Sequence, residues 1–363
     1  MTKKVLVVGA GRVGRTILHM LCNEEGYGVR LADLDPGAAG RIAAECHGAE
    51  AWGERVAQKS ALVAAMGGMD AVVSAAPFVA NRQIAEAAVE AGVHYFDLTE
   101  DVKVTQFVKE IAEKGEKAFV PQCGVAPGFV SIAALHIIEQ LDKVDTLTLR
   151  VGALPHQPNN RLKYNLTWST AGLVNEYIHS CESLRGGKLT LVPPLEGKEE
   201  VVIDGVTYEA FTTSGGVGTL CHTYAGKISR LDYKTIRYPG HLELVRFLMD
   251  DLGFRRDPED LIRIFQRSIP VTHDDFVIIA VRGLGYVGDR FVEQTYWRKV
   301  NGVRIGSHYF TGIEITTAAG LCGALHVLLE GNAPQRGFVR MEDIGYKAFI
   351  ATPFGRYYDR VEY

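Results

Sequence analysis

Close to its start, the run KVLVV gives way to GAGRVG, and few local patterns restrict a fold more tightly. After Lys4, residues 5 to 8 are apolar and mostly β-branched, which suits a buried strand. Arg12 to Cys22 carries Val13, Ile17, Leu18 and Leu21 at helical spacing. Between them, Gly9, Gly11 and Gly14 permit a tight turn, close backbone approach to a pyrophosphate, and packing of the helix against the sheet. Asp33 stands 19 residues after Gly14, at the end of the next apolar run, where it would accept ribose hydroxyls and repel a 2′-phosphate. The reading is a dinucleotide-binding domain that takes NAD in preference to NADP. Its cofactor residues would be Gly9, Gly11, Arg12, Val13, Gly14 and Asp33. Asp35 can share the role of Asp33, and Arg41 leaves room for a phosphate.

The alternation continues downstream. GVRLAD, a helix from Gly37 to Glu45, a helix ending at Met66, MDAVVSAA, a helix over 80–91, HYFDL, a helix over 102–115 and AFVPQCG extend the strand–helix rhythm to about six units. That predicts an α/β protein whose N-terminal part, residues 1–127, is a Rossmann domain with a doubly wound parallel sheet. After Gly128 the rhythm changes. A helix over 129–141 precedes TLTLRV, KLTLV, EEVVIDGVTYEAF, YKTIRY, FVIIAVRGLG and FVEQTYWRKVNG, which alternate apolar and polar residues and are separated by short turns. Residues 128–336 therefore read as a second, α+β domain with a mixed or antiparallel open sheet, partly covered by helices that start after Ser169, Pro239 and Asp257. The tail, 337–363, can fold back on either domain, the Rossmann domain included.

Bulk properties narrow the partners. Of 363 residues, 47% are hydrophobic and 23% charged, as in a globular chain rather than a disordered one. Lysine and arginine number 39 against 43 acids, with no basic block to track a nucleic acid. The longest apolar helix-like stretch, residues 316 to 331, falls short of the roughly 20 residues of a membrane span. Neither nucleic acid nor membrane is expected as a partner. Six scattered cysteines, without a CxxC pair, read as reduced thiols in a cytoplasmic protein and give no expectation of a metal.

Candidate site residues follow from the strand ends, since ligands in such sheets lie outside the carboxyl ends of the strands. Ala75, Ala76 and Pro77 of SAAPF would line the cofactor, although Pro77 also suits a simple strand-to-helix turn. Asp97 of DLTED would point toward the nicotinamide end, unless it belongs to an exposed acidic loop. In QCGVAPG, Gly124 offers a backbone amide for the cofactor, and Cys123 reads as a pocket-lining thiol rather than a nucleophile. Tyr164, Trp168, Asn175 and Glu176 form a polar and aromatic run suited to a substrate wall. Arg237 and His241 of RYPGH suit gripping a carboxylate and moving a proton, against the plainer alternative of a surface arginine and a helix-start histidine.

These residues also carry a resemblance. GAGRVG, SAAPF, CGVAPGFVSI, VGALPHQP, LTWSTAGLVNEY, YEAFTTSGG, TIRYPGH and FTGIEITTAAG occur in the order and spacing of the saccharopine dehydrogenase and lysine 6-dehydrogenase family, and the chain most resembles the compact lysine 6-dehydrogenase type. The resemblance implies a Rossmann domain, a second domain that also mediates homodimerisation, and NAD-dependent oxidation of an amino acid's amine, with L-lysine the first expectation. On that reading Asp97 or Glu176 would stabilise developing positive charge, His241 would accept the amine proton and Arg237 would hold the α-carboxylate. Two alternatives stay open. One is a saccharopine dehydrogenase or related reductase joining an amine to a keto acid, with Arg150 and Arg161 available for a further carboxylate. The other is a non-catalytic NAD-binding sensor.

Overall fold

Strand β1 (Lys3–Val8) lies inside a seven-stranded sheet, completed by β2 (Tyr27–Ala32), β3 (Glu50–Ala51), β4 (Ala71–Ser74), β5 (His94–Asp97), β6 (Ala118–Val120) and the two-residue strand Gly337–Phe338. The computed structural model describes residues 2–359, so the last residues of the expected tail, 360–363, lie outside the described residues. The spatial order is Gly337–Phe338, β6, β5, β4, β1, β2, β3, and every pairing is parallel. This is the doubly wound Rossmann arrangement expected from the sequence. Because β1 pairs with β2 on one side and β4 on the other, the chain reverses its winding there and leaves a crevice at the carboxyl ends of β1 and β4. The strands form because their residues are apolar on both faces: Leu6, Val8, Val72, Tyr95 and Phe119 share one core cluster with Ile84, Val104 and Val108 of the covering helices.

The second sheet is mixed. Its main path runs β10 (Glu199–Ile203), β11 (Val206–Phe211), β12 (Arg230–Arg237), β7 (Lys143–Pro155), β13 (Asp275–Val287), β14 (Arg290–Asn301), and β8 (Cys181–Arg185) pairs with both β12 and β9 (Lys188–Val192). Only β12 with β7 is parallel among these pairs; the rest are antiparallel. Helices Thr170–Glu176, His241–Arg246 and Pro258–Ser268 begin where the sequence placed caps: Ser169 Oγ accepts from Gly172 N–H at 3.1 Å and Asp257 accepts from Asp260 N–H at 3.2 Å. Tyr164, Tyr177, Phe211, Leu242 and Leu261 pack together beneath them.

The chain divides into two compact units. Among the described residues, the first takes those up to Ile132, Arg304–Phe310 and 314–359; the second takes Ala133–Val303 and Thr311–Ile313. The long apolar helix runs Gly312–Leu329, beginning earlier than the sequence suggested. Its 18 residues meet the length and apolarity of a membrane span, but 78% of it is buried, as for a core helix.

A charge network crosses the parallel pair of the second sheet. Buried Arg150 of β7 forms an ion pair with Asp232 of β12 at 2.7 Å and another with Glu199 of β10, and Lys234 reaches Glu199 at 2.6 Å. Burial alone would raise the Asp232 carboxyl, but Arg150 outweighs it and holds the group below the usual range. The stability it adds is present above the ordinary carboxylate pKa and is lost as pH falls through the depressed value. Arg150→Met leaves two carboxylates without their main partner and should cost about 3–5 kcal/mol, read as a lower urea midpoint at neutral pH. The deficit should shrink on acidification, as the orphaned carboxylates become protonated.

Candidate functional site

The glycine turn after β1 is built by close approach. Gly9 has φ +112°, and a Cβ there would stand 2.8 Å from the Ala75 carbonyl carbon. A Cβ on Gly14 would lie 1.8 Å from the Gly9 carbonyl oxygen. Gly11 differs: its φ is −75°, it is exposed, and a Cβ would meet nothing of the chain within 4 Å. It caps the helix Arg12–Cys22 without a side-chain hydrogen bond, and the first turn holds no acidic residue. The first amides of that helix are therefore presented to an anion, in the space a Cβ on Gly11 would invade, and the turn fits a nucleotide pyrophosphate.

Asp33 follows β2 and is tied to this turn. Its Oδ2 accepts from Ala10 N–H at 2.7 Å and its Oδ1 from Asp35 N–H at 2.8 Å, leaving each oxygen lone-pair capacity for a ribose hydroxyl. Arg41 lies 3.5 Å from Asp35 and is largely exposed. Arg12 turns its Nε to Glu314 at 2.6 Å, so its guanidinium is engaged by a carboxylate, while Val13 is half-buried on the helix. Past β4, Ala75 donates its N–H to Val8 O at 2.8 Å, Ala75 and Ala76 are half-buried, and exposed Pro77 leads into a short turn of helix over Phe78–Ala80.

Two expected site residues at the ends of β5 and β6 are buried. Asp97 is fully buried and accepts three hydrogen bonds, from Tyr95 O–H at 2.7 Å, Thr99 N–H at 2.9 Å and Gln122 N–H at 3.0 Å. Burial raises its pKa against the lowering effect of those donors. It braces the end of β5 against the segment after β6. Cys123 is also fully buried, donates its S–H to Val120 O at 3.0 Å, and is pushed well above the usual thiol range by burial. Its thiol stays protonated, which agrees with its reading as something other than a nucleophile. Beside it, Gly124 is buried, and a Cβ there would sit 3.3 Å from the Pro127 carbonyl oxygen.

The second unit brings Tyr164, Glu176, Arg237 and His241 together with Tyr177, which the sequence reading passed over. Arg237 ends β12 and is only 3% exposed, so it is not a surface arginine. Its Nη1 donates to Thr235 Oγ1 at 2.7 Å and Ile236 O at 2.9 Å, the guanidinium lies 5.1 Å from the Tyr164 ring centroid, and its Nε has no hydrogen-bond partner among the described residues. Burial would lower its pKa, but Tyr177, Tyr164 and Glu176 outweigh that and keep it cationic. Trp168 and Asn175 are half-buried nearby in sequence, Trp168 packing against the core cluster that holds Tyr164. Arg161 is exposed.

His241 is the first residue of its helix, and its surroundings keep the ring neutral. Its Nδ1 lies 2.8 Å from Leu162 O, which can only accept, so the neutral ring donates there; its Nε2, 3.0 Å from Tyr177 Oη, accepts that hydroxyl's proton. Burial and then Arg237 push the imidazole down to about 3. His241 is thus a neutral group that orients Tyr177. Glu209, almost wholly buried, holds this corner by accepting from Gly240 N–H at 3.1 Å and Leu242 N–H at 2.7 Å. The alternation of β11 places Glu209 on a buried face, but no local pattern marks it as a cap.

A parallel sheet with an anion-binding first turn, joined to a mixed sheet that buries an arginine among tyrosines, defines a two-unit nucleotide-binding protein of the oxidoreductase architecture. The model for the saccharopine dehydrogenase NADP binding domain matches residues 5–120, and that for the saccharopine dehydrogenase C-terminal domain matches 124–356. The chain belongs to the saccharopine dehydrogenase family. Among curated relatives, saccharopine dehydrogenase [NADP(+), L-glutamate-forming] of Pyricularia oryzae is 23% identical over 71% of this chain and 59% of its own length. The Saccharomyces cerevisiae protein of the same name is 22% identical over 74% and 62%. The chain spans about three-fifths of the length of these relatives. Apo saccharopine dehydrogenase (L-Glu forming) from S. cerevisiae shares the fold at a TM-score of 0.77, with 15% identity over 96% of both chains. Homospermidine synthase from Legionella pneumophila, in complex with NAD, does so at 0.69, with 13% identity over 99% of this chain and 91% of its own.

Two outcomes test this geometry. Gly11→Ala should fold normally yet bind NADH at least about ten-fold more weakly by fluorescence titration, whereas Gly14→Ala, forced against backbone, should lose about 3 kcal/mol or more of stability. Because the folded His241 titrates near 3 rather than at the ordinary 6.5, keeping it neutral contributes stability above pH 6.5 that is lost as pH falls toward 3. His241→Gln should flatten the stability profile across that window.

Proposed function

We propose that this protein is a pyridine-nucleotide-dependent dehydrogenase that acts on a carbon–nitrogen bond of an amino acid, and that its substrate is L-lysine, oxidised at the ε-amine. The observation that carries the reading is Arg237: a buried guanidinium whose Nε is left unbonded calls for an anion, and a substrate carboxylate supplies one. In this reading the first unit holds the nucleotide, and the second binds substrate and forms a homodimer. The protein works in the cytoplasm.

The bound nicotinamide supplies the hydride acceptor. Arg237 holds the α-carboxylate, and the ring face of Tyr164 packs on the guanidinium and fixes its plane. Glu176, close enough to Arg237 to favour its charge, stabilises the positive charge that grows on the substrate carbon–nitrogen unit as hydride leaves. Tyr177, held by His241, offers a fixed hydroxyl to the same cluster. The amine must be neutral before it gives up hydride. Water then adds to the iminium and ammonia departs, leaving 2-aminoadipate semialdehyde.

Asp33 supports NAD, while the names of the curated relatives favour NADP, and Arg41 is the residue through which a 2′-phosphate would be accepted. The relatives' names also support a second substrate reading, saccharopine. Against it, Arg150 is committed to Asp232 and Glu199 and does not offer a cation for a further carboxylate. Absorbance at 340 nm, followed at mildly alkaline pH with NAD or NADP and lysine, ornithine or saccharopine, separates these readings. A rise with lysine and NAD supports the proposal, and a rise with saccharopine alone selects the second reading. Silence from protein shown to bind NADH points to a nucleotide sensor. Arg237→Gln should raise the KM for the amino acid by about 10²- to 10³-fold while NADH binding, the control for folding, is unchanged.

A further inference from the structure

His19, on the first helix of the nucleotide-binding unit, is almost wholly buried and directs Nε2 to Glu45 Oε2 at 2.9 Å. His308, from the segment Arg304–Phe310 that belongs to the same unit, brings its own Nε2 to 3.7 Å from that oxygen, and the two imidazole rings lie 4.6 Å apart. The donor atoms of the three residues all fall within 4.8 Å of one another. The Cys46 thiol follows Glu45 in the chain and hydrogen-bonds both His19 and Cys22. None of these groups has a part in nucleotide or substrate binding as described above.

We propose that His19, Glu45 and His308, with the Cys46 thiol beside His19, form a binding site for one divalent cation of the zinc class. The donor set is two imidazoles and one carboxylate, with the Cys46 thiol adjacent to His19, a combination that suits Zn(II) and is poorly matched to Mg(II) or Ca(II), which take oxygen. Zinc bonds of roughly 2.0–2.3 Å place neighbouring tetrahedral donors about 3.3–3.7 Å apart. The His19–Glu45 separation of 2.9 Å would widen by a few tenths of an ångström and the longest, within 4.8 Å, would contract by roughly 1–1.5 Å, through side-chain rotation at half-exposed Glu45 and His308. Arg15 Nε also lies 2.6 Å from Glu45 Oε2. The carboxylate can keep this guanidinium on one oxygen and give the other to the metal, so Arg15 competes without excluding it. The ligands come from the first helix, from the chain just after the second helix, and from the segment Arg304–Phe310. A bound ion would therefore fasten that segment to the unit it belongs to.

The test is a titration of chelator-treated, full-length protein with Zn(II) against a chromogenic chelator, together with metal content by mass spectrometry. One zinc per chain is expected, with a melting temperature raised by zinc. His308→Ala removes a partly exposed ligand, so the variant folds; it should bind zinc at least about ten-fold more weakly and lose the thermal shift. Arg15→Met removes the competing charge and should bind more tightly. Absence of stoichiometric binding at micromolar zinc overturns the proposal. So does equal affinity in wild type, His308→Ala and Glu45→Gln.

Discussion

The approach of the first helix to the glycine turn sets the terms for the nucleotide-binding unit. With 1.8 Å between a notional Gly14 Cβ and the Gly9 carbonyl oxygen, the helix can begin at Arg12 only if no side chain stands at either glycine. Starting there, it presents uncapped amides at the carboxyl end of β1, beside the carboxyl end of β4, where the sheet reverses its winding. Asp33 then serves twice: through Ala10 N–H it fastens the turn, and through its remaining lone pairs it can receive a ribose. The exposed amides of the helix, the turn that forms them and the acid that fastens the turn thus share one constraint, close backbone packing.

The second unit shows how one residue type takes opposite parts. Arg150 and Arg237 are both buried on neighbouring strands. Arg150 faces Asp232 and Glu199 and completes a network that crosses the sheet; Arg237 faces tyrosines and keeps an unbonded Nε. A paired buried charge is structure, whereas a buried charge lacking a full set of acceptors has capacity left for a ligand. His241 adds to this contrast. Its helix-start position next to an arginine suggests acid–base chemistry, yet with both nitrogens engaged and a cation nearby it stays neutral and acts through Tyr177.

Much of the fold was legible in the chain. The first helix runs Arg12–Cys22 as its periodicity indicates, the strands of the first sheet fall on the apolar runs, and Ser169 and Asp257 cap helices as their residue types suggest. The candidate site was legible in part. Asp97 stands at the strand end where ligands gather, but its carboxylate is consumed by Tyr95, Thr99 and Gln122, partners whose positions no local pattern reveals. Cys123 points into the core for a similar reason, and Tyr177, one residue beyond Glu176, carried no signal until His241 was brought to it across 64 residues.

The sequence by itself determined the elements, the glycine turn, the acid after β2 and, through the order of its motifs, the family. Each is written locally, in the periodicity of apolar residues and in backbone conformations open only to glycine. Tertiary structure alone decided which charged groups are spent and which are left available. Whether a carboxylate, imidazole or guanidinium can act depends on the donors, acceptors and dielectric brought to it by segments distant in the chain. That environment separates Asp97 and Arg150, whose polar atoms bind other parts of the chain, from Arg237, whose Nε keeps unused hydrogen-bonding capacity.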